Sequence, residues 1–136
     1  MLSELRVSHA PHIGQTLSTR RVMLDVVLGL TPAMVAAGVF FQSRAVVLIA
    51  TCVVTAVVTE WICNLLRSRP HPRESLGDLS AVVTGIILAL SLPPALPAWA
   101  AVIGSAFAIG IGKMVFGGLG SNVFNPAMIG RTFLTA

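Results

Sequence analysis

The sequence predicts an all-α integral membrane protein, a bundle of several membrane-spanning helices. Three observations carry this. Hydrophobic residues make up 55% of the 136 and charged residues only 10%, with a mean hydropathy of +0.88, so a charged soluble surface cannot be assembled. The apolar residues fall into blocks close to the length of a membrane span. The basic residues sit beside the apolar spans, close to their ends. The net charge of +4 comes from these flanking residues. They form no patch with interleaved aromatics, so no nucleic-acid partner is expected; the lipid bilayer is.

Residues 1–21 form a polar segment with Pro11, Gly14 and a Ser/Thr cluster ending at Arg20 and Arg21. No apolar stretch precedes those arginines, so a cleaved signal peptide is not expected. The membrane domain is expected over 22–136. Its first block, Val22–Phe41, has 20 residues, about 30 Å of helix at about 1.5 Å per residue. Gln42, Ser43 and Arg44 make a short turn into a second block of 22 residues, Ala45–Leu66. A polar loop, Arg67–Asp78, follows. The third block, Leu79–Leu92, offers only 14 residues before Pro93 and Pro94. A segment that short predicts either a discontinuous helix or an ordinary one whose last turn lies in the headgroups.

The fourth block, Ala98–Phe116, is rich in small residues. Gly104, Ala108 and Gly112 recur at i+4, a face that lets another helix approach closely. A fifth helix opens at Pro126 and has run little more than two turns at Ala136, so a spanning helix is expected to continue in a longer protein. With a cytoplasmic N-terminus, Arg6, Arg20, Arg21, Arg67, Arg69, Arg73, Lys113 and Arg131 share the cytoplasmic side and Arg44 alone lies opposite.

The run Phe116–Arg131, FGGLGSNVFNPAMIGR, is the most informative stretch. Gly117, Gly118 and Gly120 allow left-handed backbone and close approach, and Asn122 and Asn125 bring two amides into apolar surroundings. Such a run is expected to line a cavity or to meet a polar ligand or partner. Two acids lie inside spans. Asp25 and Glu60 are candidates for an ion path, or they reach the interface and pair with Arg20, Arg21, Arg67 or Arg69. Asp25 is the stronger candidate, because Gly29, Thr31 and Pro32 follow it. Asp78 reads as a helix cap. Thr84 beside Gly85 either contacts a cofactor or bonds its own i−4 carbonyl. No metal-ligand cluster, phosphate-loop pattern or nucleophile–base set is present, so no catalytic residue is expected in this stretch. Cys52 and Cys63 match no metal or redox spacing and are expected to be inert.

Three runs resemble one known family: SHAPHIGQTLSTRRVMLDVVLGLTP (8–32), DLSAVVTGIILALSLPP (78–94) and KMVFGGLGSNVFNPAMIG (113–130). They are similar to RnfD, a membrane component of the Rnf electron-transport complex, itself related to NqrB of the sodium-translocating NADH:quinone reductase. The resemblance implies a protein of two related halves with urea-transporter-like architecture, of which this chain is the N-terminal half. It implies a place in the bacterial inner membrane beside the other Rnf complex subunits, RnfC, RnfG, RnfE, RnfA and RnfB. The activity implied is electron transfer between ferredoxin and NAD, coupled to Na⁺ or H⁺ translocation; the chain would be a subunit of that translocase, not catalytic alone. It also implies covalent FMN on a threonine of an S-G-A-T-like motif, with riboflavin as a second flavin. That motif is absent here, so the FMN threonine is expected beyond Ala136, and Thr84 is not assigned that role. Thr84, Gly117, Gly118, Gly120, Asn122 and Asn125 then become candidates for a cavity or flavin path, and Gly117–Asn125 is expected to shape its cytoplasmic entry. The alternatives are a channel- or transporter-like module, or a truncated assembly subunit, without a redox role.

Overall fold

A computed structural model describes residues 18–67, 77–118 and 120–136. Most of the N-terminal polar segment and of the Arg67–Asp78 loop, with Arg6, Arg69 and Arg73, lie outside the described residues. The described residues form helices and turns, with no strand among them. Helix α1 is Thr19–Leu66, α2 is Ser80–Ser91, α3 is Ala98–Ile109, and α4 is Pro126–Thr135. Helix α3 runs directly into a wider π-helical turn, Gly110–Met114.

Helix α1 is one helix only in name. At Gln42 the backbone leaves helical values (φ 52°, ψ −136°), dividing it into two arms at the polar turn between the first two apolar blocks. Long and apolar enough to cross a membrane, it is the only such helix among the described residues, and two shorter apolar helices accompany it. Pro32 sits inside the first arm, where its ring removes one backbone donor. Nearby, Thr31 Oγ1 donates to the carbonyl of Val27 at 3.0 Å.

The second arm organises the bundle. Its buried residues, Ala45, Leu48, Cys52, Ala56, Glu60 and Asn64, recur every three or four positions and make a single stripe. Helix α2 lies along this stripe, and Gly85 is where the backbones come closest. A Cβ there would stand 2.8 Å from Val53 Cα, so the contact depends on glycine. Leu88, Ala89 and Leu92 close with Leu48, Cys52, Ala101, Ala108 and Ala127 into one apolar core.

The small-residue face of α3 takes α4. Gly104 would meet Leu134 and Gly112 would meet Pro126 if either carried a side chain, while Gly130 of α4 sits against the Gly104 carbonyl and Ala108. Phe107 and Phe133 stack across the same pair, with ring centroids 4.0 Å apart. Helix α2 stops at Ser91 because Leu92 turns extended (φ −95°, ψ 150°) ahead of Pro93 and Pro94. Its 12 residues make about 18 Å of helix. The chain therefore covers the rest of the distance to α3 as irregular backbone. A cavity of about 450 Å³ opens there, lined by Ser43, Arg44, Val47, Leu48 and the 94–98 segment.

Candidate functional site

At the end of the bundle away from that cavity, three helices bring charged and polar side chains together inside an apolar core. Glu60 enters from the second arm of α1, as the fifth member of its buried stripe. Ser80 enters from the first turn of α2, and Lys113 from the π turn that follows α3.

The π turn explains how Lys113 comes to point inward. Its five residues include Gly110 and Gly112, which have weak helix propensity, and Val115 N donates to Gly110 O at 3.1 Å, an i→i+5 bond. The wider turn buries Gly112, Lys113 and Met114 in succession, which a regular amphipathic helix face would not do. The glycine run then ends the helix. Gly118 N donates to Lys113 O at 3.1 Å and Gly117 N donates to Met114 O at 3.2 Å. This is the paired bonding of a Schellman cap, which needs the positive φ of Gly117 (114°). The first two glycines thus hold the backbone carrying Lys113.

Lys113 Nζ donates to Glu60 Oε1 at 2.6 Å and also to Ser80 Oγ. Glu60 is 0% exposed and Lys113 2%. Taking either charge out of water alone costs several kcal/mol, so each is tolerable only because the other is there. Ser80 extends the contact outward. Its hydroxyl donates to Asp78 Oδ1, which also accepts from Ser80 N at 2.8 Å. Between them Leu79 adopts left-handed backbone (φ 62°, ψ 8°). Asn64, one turn beyond Glu60 and equally buried, has neither its amide nitrogen nor its oxygen hydrogen-bonded.

Apart from Glu60, Asp78 and the helix-ending Gly117 and Gly118, the residues singled out in the sequence fall elsewhere. Asp25 is exposed on the first arm of α1. Thr84 Oγ1 donates to the Ser80 carbonyl at 2.9 Å, its own helix's i−4 position. Gly120 has φ 87° in an exposed turn. Asn122 Nδ2 donates to Phe124 O at 3.2 Å. Asn125 caps α4 by accepting from Ala127 N at 3.0 Å, with Pro126 at the first helical position. In the sequence Lys113 reads only as an orientation charge. A signal is available there all the same: Glu60 and Lys113 have opposite charges, each is the only charge in its own apolar block, and both lie near the same end of their spans.

The sequence model of the NQR2, RnfD, RnfE family matches residues 6–136. The chain belongs to that family. The D-type subunit of the Na⁺-translocating ferredoxin:NAD⁺ oxidoreductase complex of Acetobacterium woodii is 46% identical over 132 residues, which cover 97% of this chain and 41% of that protein. The D-type subunits of ion-translocating oxidoreductase complexes from Sodalis glossinidius and Yersinia enterocolitica are 42% and 41% identical, each match covering 37% of the relative. The chain thus spans about two fifths of the length of the curated relatives it matches.

The flavin-path candidates all have local roles in the fold: the Thr84 hydroxyl is engaged by its own helix, Gly117 and Gly118 close a helix end, and both asparagines bond to nearby backbone. Among the described residues, potential metal-ligating side chains do not gather in groups of three or more.

Proposed function

We propose that this chain is the N-terminal part of the RnfD-type membrane subunit of a redox-driven ion pump, in which electron transfer between ferredoxin and NAD drives Na⁺ or H⁺ across the bacterial inner membrane. The observation that carries this reading is the fully buried Lys113–Glu60 pair among apolar helices. Ionisable groups at membrane depth are costly and are kept where charge moves. The names of the relatives, ion-translocating oxidoreductase subunits, supply the direction. In this reading the pair is the charged element that responds as electrons pass, and Asp25 is a second candidate on the ion path.

The finer features follow the same reading. The N-terminus is cytoplasmic, which puts Arg20, Arg21, Arg67, Lys113 and Arg131 on one side and Arg44 on the other. The break at Gln42 and the short, proline-terminated α2 are in keeping with one half of a two-repeat, urea-transporter-like fold. The exposed apolar faces of the first arm meet lipid, the second half, or other Rnf components, among RnfC, RnfG, RnfE, RnfA and RnfB. Covalent FMN, and riboflavin beside it, belong to parts of the complex outside residues 1–136. The glycine turn flanks their path through its hold on Lys113.

The test uses the full-length subunit in its complex, in inside-out membrane vesicles. Ion uptake driven by ferredoxin:NAD⁺ turnover should fall to background in Glu60→Gln complexes that assemble, and likewise in the double variant Glu60→Leu with Lys113→Met, which strands no buried charge. Uptake per electron equal to wild type rejects the reading. A subunit that assembles without flavin and passes ions without electron transfer would instead establish the channel-like alternative.

A further inference from the structure

Resting on the reading of Lys113–Glu60 as the pump's charged element, we propose that Ser80 and Asp78 form a proton relay joining that buried pair to the aqueous face of the protein. Four side chains from three parts of the chain make one continuous line of hydrogen bonds. Lys113 Nζ donates to Glu60 Oε1 and to Ser80 Oγ, and Ser80 Oγ donates to Asp78 Oδ1. The line climbs from full burial outward: Glu60, Lys113 and Ser80 are buried, and Asp78 is half-buried at the start of α2.

From Lys113 outward, the hydrogens all point the same way. A proton can leave the ammonium, an N–H bond breaking as a new O–H bond forms on Ser80. The original Ser80 O–H breaks as an O–H bond forms on the Asp78 carboxylate. Lys113 becomes a neutral amine, Ser80 is again a hydroxyl, and Asp78 is a neutral acid that passes its proton to water. The buried pair then carries one net negative charge in a low-dielectric setting. A positive charge must be supplied to it, and the reverse passage restores the ammonium. No oxidant, reductant or other co-reactant takes part.

The local backbone argues against a simple helix cap. Leu79, not an Asp or Ser, occupies the position before α2, in a left-handed conformation that is unfavourable for a residue with a Cβ. That turn sets Asp78 so that one oxygen takes both the amide and the hydroxyl of Ser80. Strain of this kind persists where the surrounding structure holds it in place, and often where there is function. The other described titratable groups on the packed elements are Arg20, Arg21, Asp25, Arg44, Cys52 and Cys63 on α1, Arg67 just beyond it, and Arg131 on α4. The arginines and Asp25 are exposed, Cys63 is half-buried, and Cys52 is buried one stripe position beyond Ala56 from Glu60.

The test uses the full-length complex in inside-out vesicles, comparing Ser80→Ala, Ser80→Thr and Glu60→Gln in H₂O and D₂O. Removing the hydroxyl should slow ion uptake by about 100-fold, the scale on which a positioned proton-transfer group acts, and should raise the solvent isotope effect. Ser80→Thr, which keeps a hydroxyl, should restore rate and isotope effect. Uptake at wild-type rate in Ser80→Ala overturns the relay, and so does equal impairment of the Ala and Thr variants. If Ser80→Ala pumps normally while Glu60→Gln does not, the relay falls and the ion-pump reading stands. If Glu60→Gln pumps normally, both fall.

Discussion

The two arms of α1 are built from the same kinds of residue and are used in opposite ways. The first arm carries Asp25 on an exposed surface, and none of its residues is fully buried in this structure. The second arm buries a continuous stripe that includes Glu60 and Asn64. Both arms are apolar enough to sit in lipid, so hydropathy does not separate them. What separates them is a partner. Gly85 lets α2 lie directly on the second arm, and the π turn brings a cation to Glu60. An acid in an apolar helix is thus an interfacial charge or a structural keystone depending on what another helix places opposite it.

That contrast breaks most clearly at Lys113. Lys113→Met leaves Glu60 buried without its cation and should cost about 3–5 kcal/mol, seen as a large drop in the melting temperature of the purified full-length protein. Pairing it with Glu60→Leu should recover most of the loss, because two apolar residues strand no charge. A single variant as stable as wild type would mean that the pair does not hold the second arm in place.

Gly85→Ala tests the close approach that allows the second arm its partner. With the added Cβ 2.8 Å from Val53 Cα, backbone and not a flexible side chain has to move, and a destabilisation of about 1–3 kcal/mol is expected in the same melt. Gly38→Ala on the first arm meets nothing within 4 Å and is the matched control; helix propensity alone makes it neutral or slightly stabilising.

Asn64→Leu should act in the opposite direction. An amide with neither group bonded is costly to bury, so an apolar residue of similar size should stabilise by about 1 kcal/mol. Loss of stability would show that Asn64 meets a polar partner in the whole protein. Asp25→Asn should change stability least, within about 0.5 kcal/mol, as expected of an exposed position. A larger shift would give the first arm a buried charge site of its own.

Much of this is legible along the chain, for local reasons. The turn at Gln42 follows from three polar residues between apolar blocks, and the end of α2 from Pro93 and Pro94. The i+4 repeat of Gly104, Ala108 and Gly112 marks a close helix contact, which α4 fills. The start of α4 follows from Asn125 as cap and Pro126 as first residue. The charged site is only half legible. Glu60 stands out as an acid in a span, but the nearest cations in sequence are Arg67 and Arg69, and nothing local sets Lys113 against it. The glycine run points to a cavity, since glycine marks special backbone without saying what that backbone serves. In the fold, Gly117 and Gly118 serve the helix end that carries Lys113.

The sequence by itself determined the membrane class, the apolar blocks, the breaks between them and the caps, because these follow from composition, span length, proline and local hydrogen bonding. It also carried the family resemblance, in runs spread across the chain. Only the tertiary structure decided which of the two membrane acids is buried, which cation faces it, and that Ser80 and Asp78 join the same line. Those facts depend on residues 33 and 53 positions apart meeting across helices, and a buried charge is settled by its neighbour in space and not by its neighbours in sequence.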